Sequence, residues 1–280
     1  MKRAFGSTGV EVPVVGQGTW KMGSRPAEEA AALLRGVELG LVHLDTAELY
    51  GAAEDVVGRV VRQVRREELF LVSKVLPSHA TRAGTVEACA RSLKKLGTDH
   101  LDVYLLHWRE EVALEESMAG LLACVEAGMT RAVGVSNLDV PELEACLRFL
   151  GPGRLACDQV YYDLAHRGIE RRLIPWCREH GVAVVGYSPF GSSPARLPDP
   201  RTRPGVVLRE IAAARKATPA QVILAFLTRL PGTFTIPKAS RREHVEENAG
   251  ALGVQLGPGD VARLEAAFPA PPGDVPLETV

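Results

Sequence analysis

The chain is short of aromatic residues: Phe, Trp and Tyr make up 5% of its 280 positions. It has no apolar run of about 18 residues, which removes a membrane-spanning helix from consideration. Its opening, "MKRAFGSTGVEVPVV", has two basic side chains but no continuous apolar stretch of the kind a secretory signal needs. Net charge is also nearly absent, 33 Lys and Arg standing against 34 Asp and Glu. A balance of −1 argues against nucleic acid or an anionic membrane as a partner. The five cysteines (Cys89, Cys124, Cys146, Cys157 and Cys177) are odd in number and include no CxxC pair. Cys89, Cys124 and Cys146 fall in helix-like patterns, where a thiol serves as a small buried hydrophobe. They read as reduced thiols of a cytoplasmic protein. No Pro-, Ser- or Gly-rich linker divides the chain, so residues 1–280 are expected to form a single domain.

What is present is alternation. The segments 41–45, 69–75, 101–108, 130–136, 156–162, 182–189 and 233–238 are short and apolar on both faces, as buried parallel strands are. Helical patterns lie between them at 26–40, 84–97, 114–128, 140–151, 169–181, 219–230 and 242–253, several with acids early and Gly at the end. With "VPVVGQG" (12–18) as a first strand, the count reaches eight, and eight βα units in about 250 residues predict a (β/α)8 TIM barrel. "RAF", a turn at "GSTG" and "VEVP" predict an N-terminal β-hairpin that caps the bottom of the barrel. The stretch 190–205 reads as a loop over the mouth, and the Pro-rich end from Phe268 onward reads as non-helical. The competing doubly wound fold requires GxGxxG. The nearest match, "GQGTWK" (16–21), lacks the third Gly and reads as a turn.

In such a barrel the chemistry sits at the C-terminal ends of the strands. Those ends supply Asp45 with Tyr50 just beyond it, Lys74, His107, Ser136 with Asn137, Gln159, Tyr187 with Ser188, and Lys238. A Lys at the end of a buried strand is costly unless paired, and Asp45 is one strand away. An ammonium near a phenol oxygen favours the phenolate, so Lys74 is expected to lower the pKa of Tyr50. His107 can bond a carbonyl oxygen, and together the four groups could protonate an alkoxide as hydride arrives. A metal hydrolase would need a His-x-His pair or a carboxylate cluster. His43 and His107 do not supply one, so no metal is expected.

The segments "HLDTAELYG", "FLVSKV", "LDVYLLHW", "GVSN", "QVYYDLAHR", "GYSPFG" and "IPKASRREHVEEN" occur in one order along nearly the whole chain. In these the sequence resembles the aldo-keto reductases, in particular the short-loop prokaryotic branch that includes methylglyoxal and small-aldehyde reductases. The resemblance implies NAD(P)H-dependent reduction of small aldehydes and ketones, with the tetrad Asp45, Tyr50, Lys74 and His107 and with Tyr50 as general acid. His107 stands where relatives that reduce carbon–carbon double bonds carry Glu, which favours carbonyl reduction. The resemblance assigns the nicotinamide carboxamide to Ser136, Asn137 and Gln159, ring stacking to Tyr187 and the pyrophosphate to Ser188, Phe190 and Gly191. It assigns the adenosine end to Lys238, Ser240, His244, Glu247 and Asn248. NADPH is the expected cofactor and NADH the alternative, because His244 occupies the position of an Arg that meets the 2′-phosphate in many relatives. Arg241 and Arg242 are close enough in sequence to substitute. Asp163 stands where relatives usually carry Asn. Trp20 and Trp108 are expected on the substrate wall, and the short segment "REEVAL" after His107 suggests an open pocket. The resemblance also implies a monomer, and it admits a second reading, a non-catalytic regulatory protein that binds cofactor.

Overall fold

The computed structural model describes residues 1–192 and 197–280. Two short strands, β1 (Lys2–Ala4) and β2 (Glu11–Pro13), pair antiparallel as the predicted hairpin. The sheet then runs β3 (Gln17–Gly18), β4 (His43–Asp45), β5 (Phe70–Val75), β6 (Leu101–Leu106), β7 (Thr130–Ser136), β8 (Leu155–Tyr161), β9 (Ala183–Tyr187) and β10 (Thr233–Thr235). These eight strands are parallel and adjacent in sequence order. Parallel bridges Val15–Thr235 and Gly18–Lys238 join the first strand to the last, closing a (β/α)8 barrel. The expected strand 12–18 is in fact divided. Val12 and Pro13 belong to the hairpin, and the barrel strand proper begins at Gln17.

Each strand alternates between two packing environments. Phe70, Val72, Val103, Leu105, Cys157, Val185 and Phe234 pack together inside the barrel. Their neighbours Leu71, Tyr104, Leu106, Val160 and Val184 pack outward against the helices. This two-sided burial is why the strands read as continuous apolar runs rather than as alternation. The hairpin seals the bottom through Phe5, which is fully buried and touches the rings of Phe70 at 4.8 Å and Phe234 at 4.9 Å. Gly6 follows with φ +50°, and a Cβ there would lie 1.9 Å from the Ala156 carbonyl oxygen, so the turn beneath β8 tolerates only Gly. Phe5→Ala is therefore expected to cost about 3–5 kcal/mol of unfolding free energy, read as a shift in urea midpoint. A shift below about 1 kcal/mol would mean that the hairpin does not seal the core.

The helices α1 (Pro26–Glu38), α3 (Arg82–Leu96), α4 (Leu114–Glu126), α5 (Val140–Leu150), α6 (Leu173–Glu179), α8 (Pro219–Leu227) and α9 (Arg242–Gly250) occupy the predicted helical segments. Three further helices escape the sequence pattern: α2 (Ala53–Val61), α7 (Arg203–Ala214) and α10 (Pro258–Ala267). The segment "AEDVVGRVV" of α2 is dominated by Val, with a central Gly, all weak helix formers. The fold needs that glycine: a Cβ on Gly58 would meet the Lys95 carbonyl oxygen of α3 at 2.4 Å. Helices α7 and α10 open on "RPG" and "PG", which read locally as turns. The expected mouth loop 190–205 thus ends in the first turn of α7, and its residues 193–196 lie outside the described residues. The end from Phe268 contains no helix, as its proline content predicts. All five cysteines are buried free thiols. Among the described residues no helix is long and apolar enough to cross a membrane.

Candidate active site

The strand register staggers the polar strand ends around one end of the barrel. Asp45 pairs with Val72, Lys74 with Leu105, and Ser136 with Gln159. Each inward polar residue follows a buried inward residue two positions earlier, so the polar groups form the top layer of the barrel filling.

Lys74 is the centre of the group and is fully buried. Its ammonium donates to Asp45 Oδ1 at 2.6 Å, to the Thr46 carbonyl at 2.8 Å and to the Tyr50 hydroxyl at 3.5 Å. Three acceptors match the three protons of an ammonium, which is how the site tolerates a buried cation. Burial acts against the charge, but Asp45 and Tyr50 outweigh it, and the Lys74 pKa ends above its ordinary value. The second oxygen of Asp45 accepts from Gln159 Nε2 at 2.7 Å.

Tyr50 closes a single 3₁₀ turn, Glu48–Tyr50, directly after β4. Glu48 fixes that turn to the end of β5, accepting from the Leu76 amide at 2.6 Å and lying 3.1 Å from His79 Nδ1. Sequence reasoning passed over Glu48 although it lies inside "HLDTAELYG". Its signal is an acid two residues before the phenol, with no helix of its own to serve. Lys74 does lower the Tyr50 pKa, as expected, but it does not set the net direction. Burial raises it, Lys74 pulls it down only in part, and the net direction is up. The phenol is therefore held in its protonated form, as a proton donor must be.

His107 faces Tyr50 with ring centroids 5.5 Å apart. Burial, and then the Lys74 charge, push its pKa down to about 2, so the imidazole is neutral. Its Nδ1 is buried without a partner among the described residues. A neutral ring with the proton on Nε2 leaves only a lone pair there rather than an unmatched N–H, and keeps Nε2 as a donor. Trp108 contacts the His107 ring at 4.7 Å, and Trp20 contacts the Tyr50 ring at 5.0 Å. The two indoles flank the Tyr50–His107 pair, and Trp20 is 47% exposed.

The residues expected to hold a dinucleotide form a second group. The Ser136 hydroxyl donates to the Gln159 carbonyl at 2.8 Å. Asn137, held at φ +62°, donates to Ser136 Oγ and to the His107 carbonyl and accepts from the Tyr187 hydroxyl at 2.8 Å. The Tyr187 ring is backed by Tyr161, stacked at 5.8 Å. Ser188 also adopts a left-handed φ, +52°, and its carbonyl accepts from the Gly191 amide. Phe190 packs against the hydrophobic core. Lys238 donates to Ser240 at 3.2 Å. Burial lowers its pKa, and the nearby cations Arg25 and Lys21 lower it further, with Glu29 opposing. Asn248 is buried on α9, and Glu247 is half-buried beside it.

The arginines near His244 are engaged with neighbours on their own helix. Arg242 bonds Glu246 at 3.0 Å, whereas Arg241 lies 3.3 Å from Glu243 and bonds His244 Nε2. Asp163 accepts from the Tyr161 hydroxyl and from the Ala165 and His166 amides. His43 is distant in role from His107: it is buried in the barrel with Phe5 and Phe70 edge-on to its ring. Among the described residues no group of three or more His, Cys, Asp or Glu is placed to hold a metal ion.

Comparison with known proteins bears on the family and the fold. Residues 14–268 match the aldo/keto reductase family model. The methylglyoxal reductase YeaE of Escherichia coli K12 is 43% identical over 276 residues, covering 97% of this chain and 96% of that protein. The methylglyoxal reductase DkgB of Escherichia coli O157:H7 is 31% identical over 260 residues, covering 91% and 92%. A crystal structure of an aldo-keto reductase from Klebsiella pneumoniae in complex with NADPH superposes with a TM-score of 0.91 at 40% identity, over 100% of each chain. The matched span takes in every strand of the barrel, and on that basis the chain belongs to the aldo/keto reductase family.

Proposed function

We propose that this aldo/keto reductase reduces small aldehydes and ketones to alcohols with NADPH, using Tyr50 as the proton donor. The observation that carries the reading is the buried Lys74 ammonium, bonded at once to Asp45 and to the Tyr50 hydroxyl. The carbonyl oxygen binds between the Tyr50 hydroxyl and His107 Nε2, both protonated and both neutral. NADPH, when bound, supplies the hydride that the carbonyl carbon accepts. The Tyr50 proton moves to the oxygen, and Lys74 stabilises the phenolate left behind. Water then restores the Tyr50 proton. The donors and acceptors of Ser136, Asn137 and Gln159 fit a carboxamide, and the Tyr187 face fits a nicotinamide ring. Lys238, with Arg25 and Lys21 close enough to lower its pKa, fits a phosphorylated ligand. The 43% identity to a methylglyoxal reductase supports short carbonyl substrates.

A panel of small aldehydes assayed with NADPH and with NADH, followed at the reduced-nicotinamide absorbance, tests this. Absence of turnover on every aldehyde, with NADPH bound, would favour the non-catalytic reading instead. Cofactor choice has its own test. Arg241 is bonded to His244, so the position offers no bidentate fork to a 2′-phosphate. His244→Arg is expected to tighten NADPH about tenfold and leave NADH unchanged. Unchanged NADPH affinity would show that another group already holds the phosphate or that none does, and equal tightening of both cofactors that the new Arg acts away from it.

A further inference from the structure

Trp108 is the residue of the substrate wall that has a polar handle next to His107, and its indole N–H has one bond to give. It gives it to Glu110 Oε1 at 2.8 Å. Glu110 belongs to the short segment after β6, two residues beyond the indole it engages, and it is exposed. Its carboxylate thus sits at the outer edge of the Trp108 ring, whose other side touches His107 at 4.7 Å. The charge is not cancelled by its neighbour: Arg109 turns to α5 and bonds Glu142 at 3.2 Å. Among the described residues no cation lies within ion-pair distance of Glu110. Two consequences follow for a carbonyl bound with its oxygen between Tyr50 and His107. Glu110, through Trp108, places a negative charge on the wall beside His107. The indole N–H that could have received an anionic group there is already occupied.

We propose that Glu110 is a specificity-determining residue. It restricts the site to carbonyl compounds whose far end is neutral or cationic and discriminates against aldehydes carrying a carboxylate or phosphate there. The inference rests on the carbonyl-reductase reading for its substrate pose. A carboxylate at the rim repels a like charge through partly exposed space, where the interaction is moderate and falls with salt. Capture of the indole N–H adds to this, because an anion arriving at the rim finds no donor on that wall.

The test uses 4-carboxybenzaldehyde and its neutral counterpart 4-formylbenzamide with the NADPH-loaded enzyme. Glu110→Gln removes the charge and keeps an acceptor for the indole. Glu110→Ala removes the charge and also frees the N–H. The ratio of kcat/KM for the anionic to the neutral aldehyde is expected to rise about tenfold in Glu110→Gln and further in Glu110→Ala. In wild type the ratio should climb as salt is raised toward about 1 M, whereas in Glu110→Gln it should stay flat. Glu67→Gln, an exposed site below β5, changes net charge equally and should leave the ratio where it was. A second reading needs no turnover: calorimetry of 4-(hydroxymethyl)benzoate against 4-(hydroxymethyl)benzamide on the NADP⁺-loaded protein. The same change in ratio is expected there. Ratios unchanged by Glu110→Gln in either measurement, or shifted as much by Glu67→Gln, overturn the proposal. Failure of both aldehydes to turn over counts against the carbonyl-reductase reading, and the calorimetric ratio then still decides the role of Glu110.

Discussion

Tyr50→Phe is expected to lower carbonyl reduction by about 10²- to 10⁴-fold, the usual contribution of one positioned acid. The substitution deletes a single hydroxyl. The ring keeps its edge contact with Trp20 at 5.0 Å and its place over the Lys74 ammonium, which lies 5.0 Å from the ring centroid. Packing is thus preserved, and NADPH affinity should not change, because the residues proposed to hold the cofactor lie on other strands. No other group can take over the proton. His107 is neutral, with its pKa near 2, and an Nε2–H given up from the neutral ring would leave an imidazolate. Lys74 is held charged by Asp45 and has no open path to the carbonyl except through the phenol. Steady-state rates of the two proteins on one aldehyde make the comparison. If Tyr50→Phe retained half of its rate, the proton would have to come from elsewhere and the assignment would fail.

Lys74→Met is expected to act on both stability and rate. It leaves Asp45, 1% exposed, with Gln159 as its remaining side-chain partner. Removing one member of a buried ion pair costs about 3–5 kcal/mol, because the surviving charge has no water to return to. The rate should fall as well, since the phenolate loses its nearest cation. The double variant Lys74→Met with Asp45→Asn separates the two effects. Without the orphaned charge it should regain most of the lost stability while remaining inactive. Urea unfolding of wild type, single and double variants gives the first quantity, and turnover gives the second. A double variant no more stable than the single one would mean that the Asp45–Lys74 pairing is not what makes Lys74 tolerable.

Most of this architecture is written in local patterns. Strands buried on both faces read as apolar runs, and Thr130–Ser136 has the boundaries that its sequence predicts. The proposed tetrad is legible because polar side chains at the ends of such runs are costly to bury without partners. What the sequence hides is long-range compensation. The Gly58 that weakens α2 as a helix is required by contact with α3. The direction of the Tyr50 pKa depends on how deeply the phenol is buried, and no motif states that. The bond from Gln159 to Asp45 joins residues 114 positions apart, so the amide expected to serve a cofactor also supports the Asp45–Lys74 pair. Glu110 and Arg241 are in the same category. Their chemical types are obvious, but which neighbour each has engaged is a fact of geometry.

The alternation of β4, β5 and β6 ties chemistry to folding in a further way. His43 precedes Asp45 by two residues, as Val72 does Lys74 and Leu105 does His107, and the first of each pair is sealed in the barrel. A slip of one residue in any of these strands would turn the reactive side chain toward the helices and would also empty a core position. A barrel that misassembles in this manner cannot be partly active, and a partly active preparation is a mixture of intact and inert molecules. On the proposed carbonyl reduction, specific activity counts correctly registered barrels, and a single aldehyde assay would serve as a measure of refolding yield.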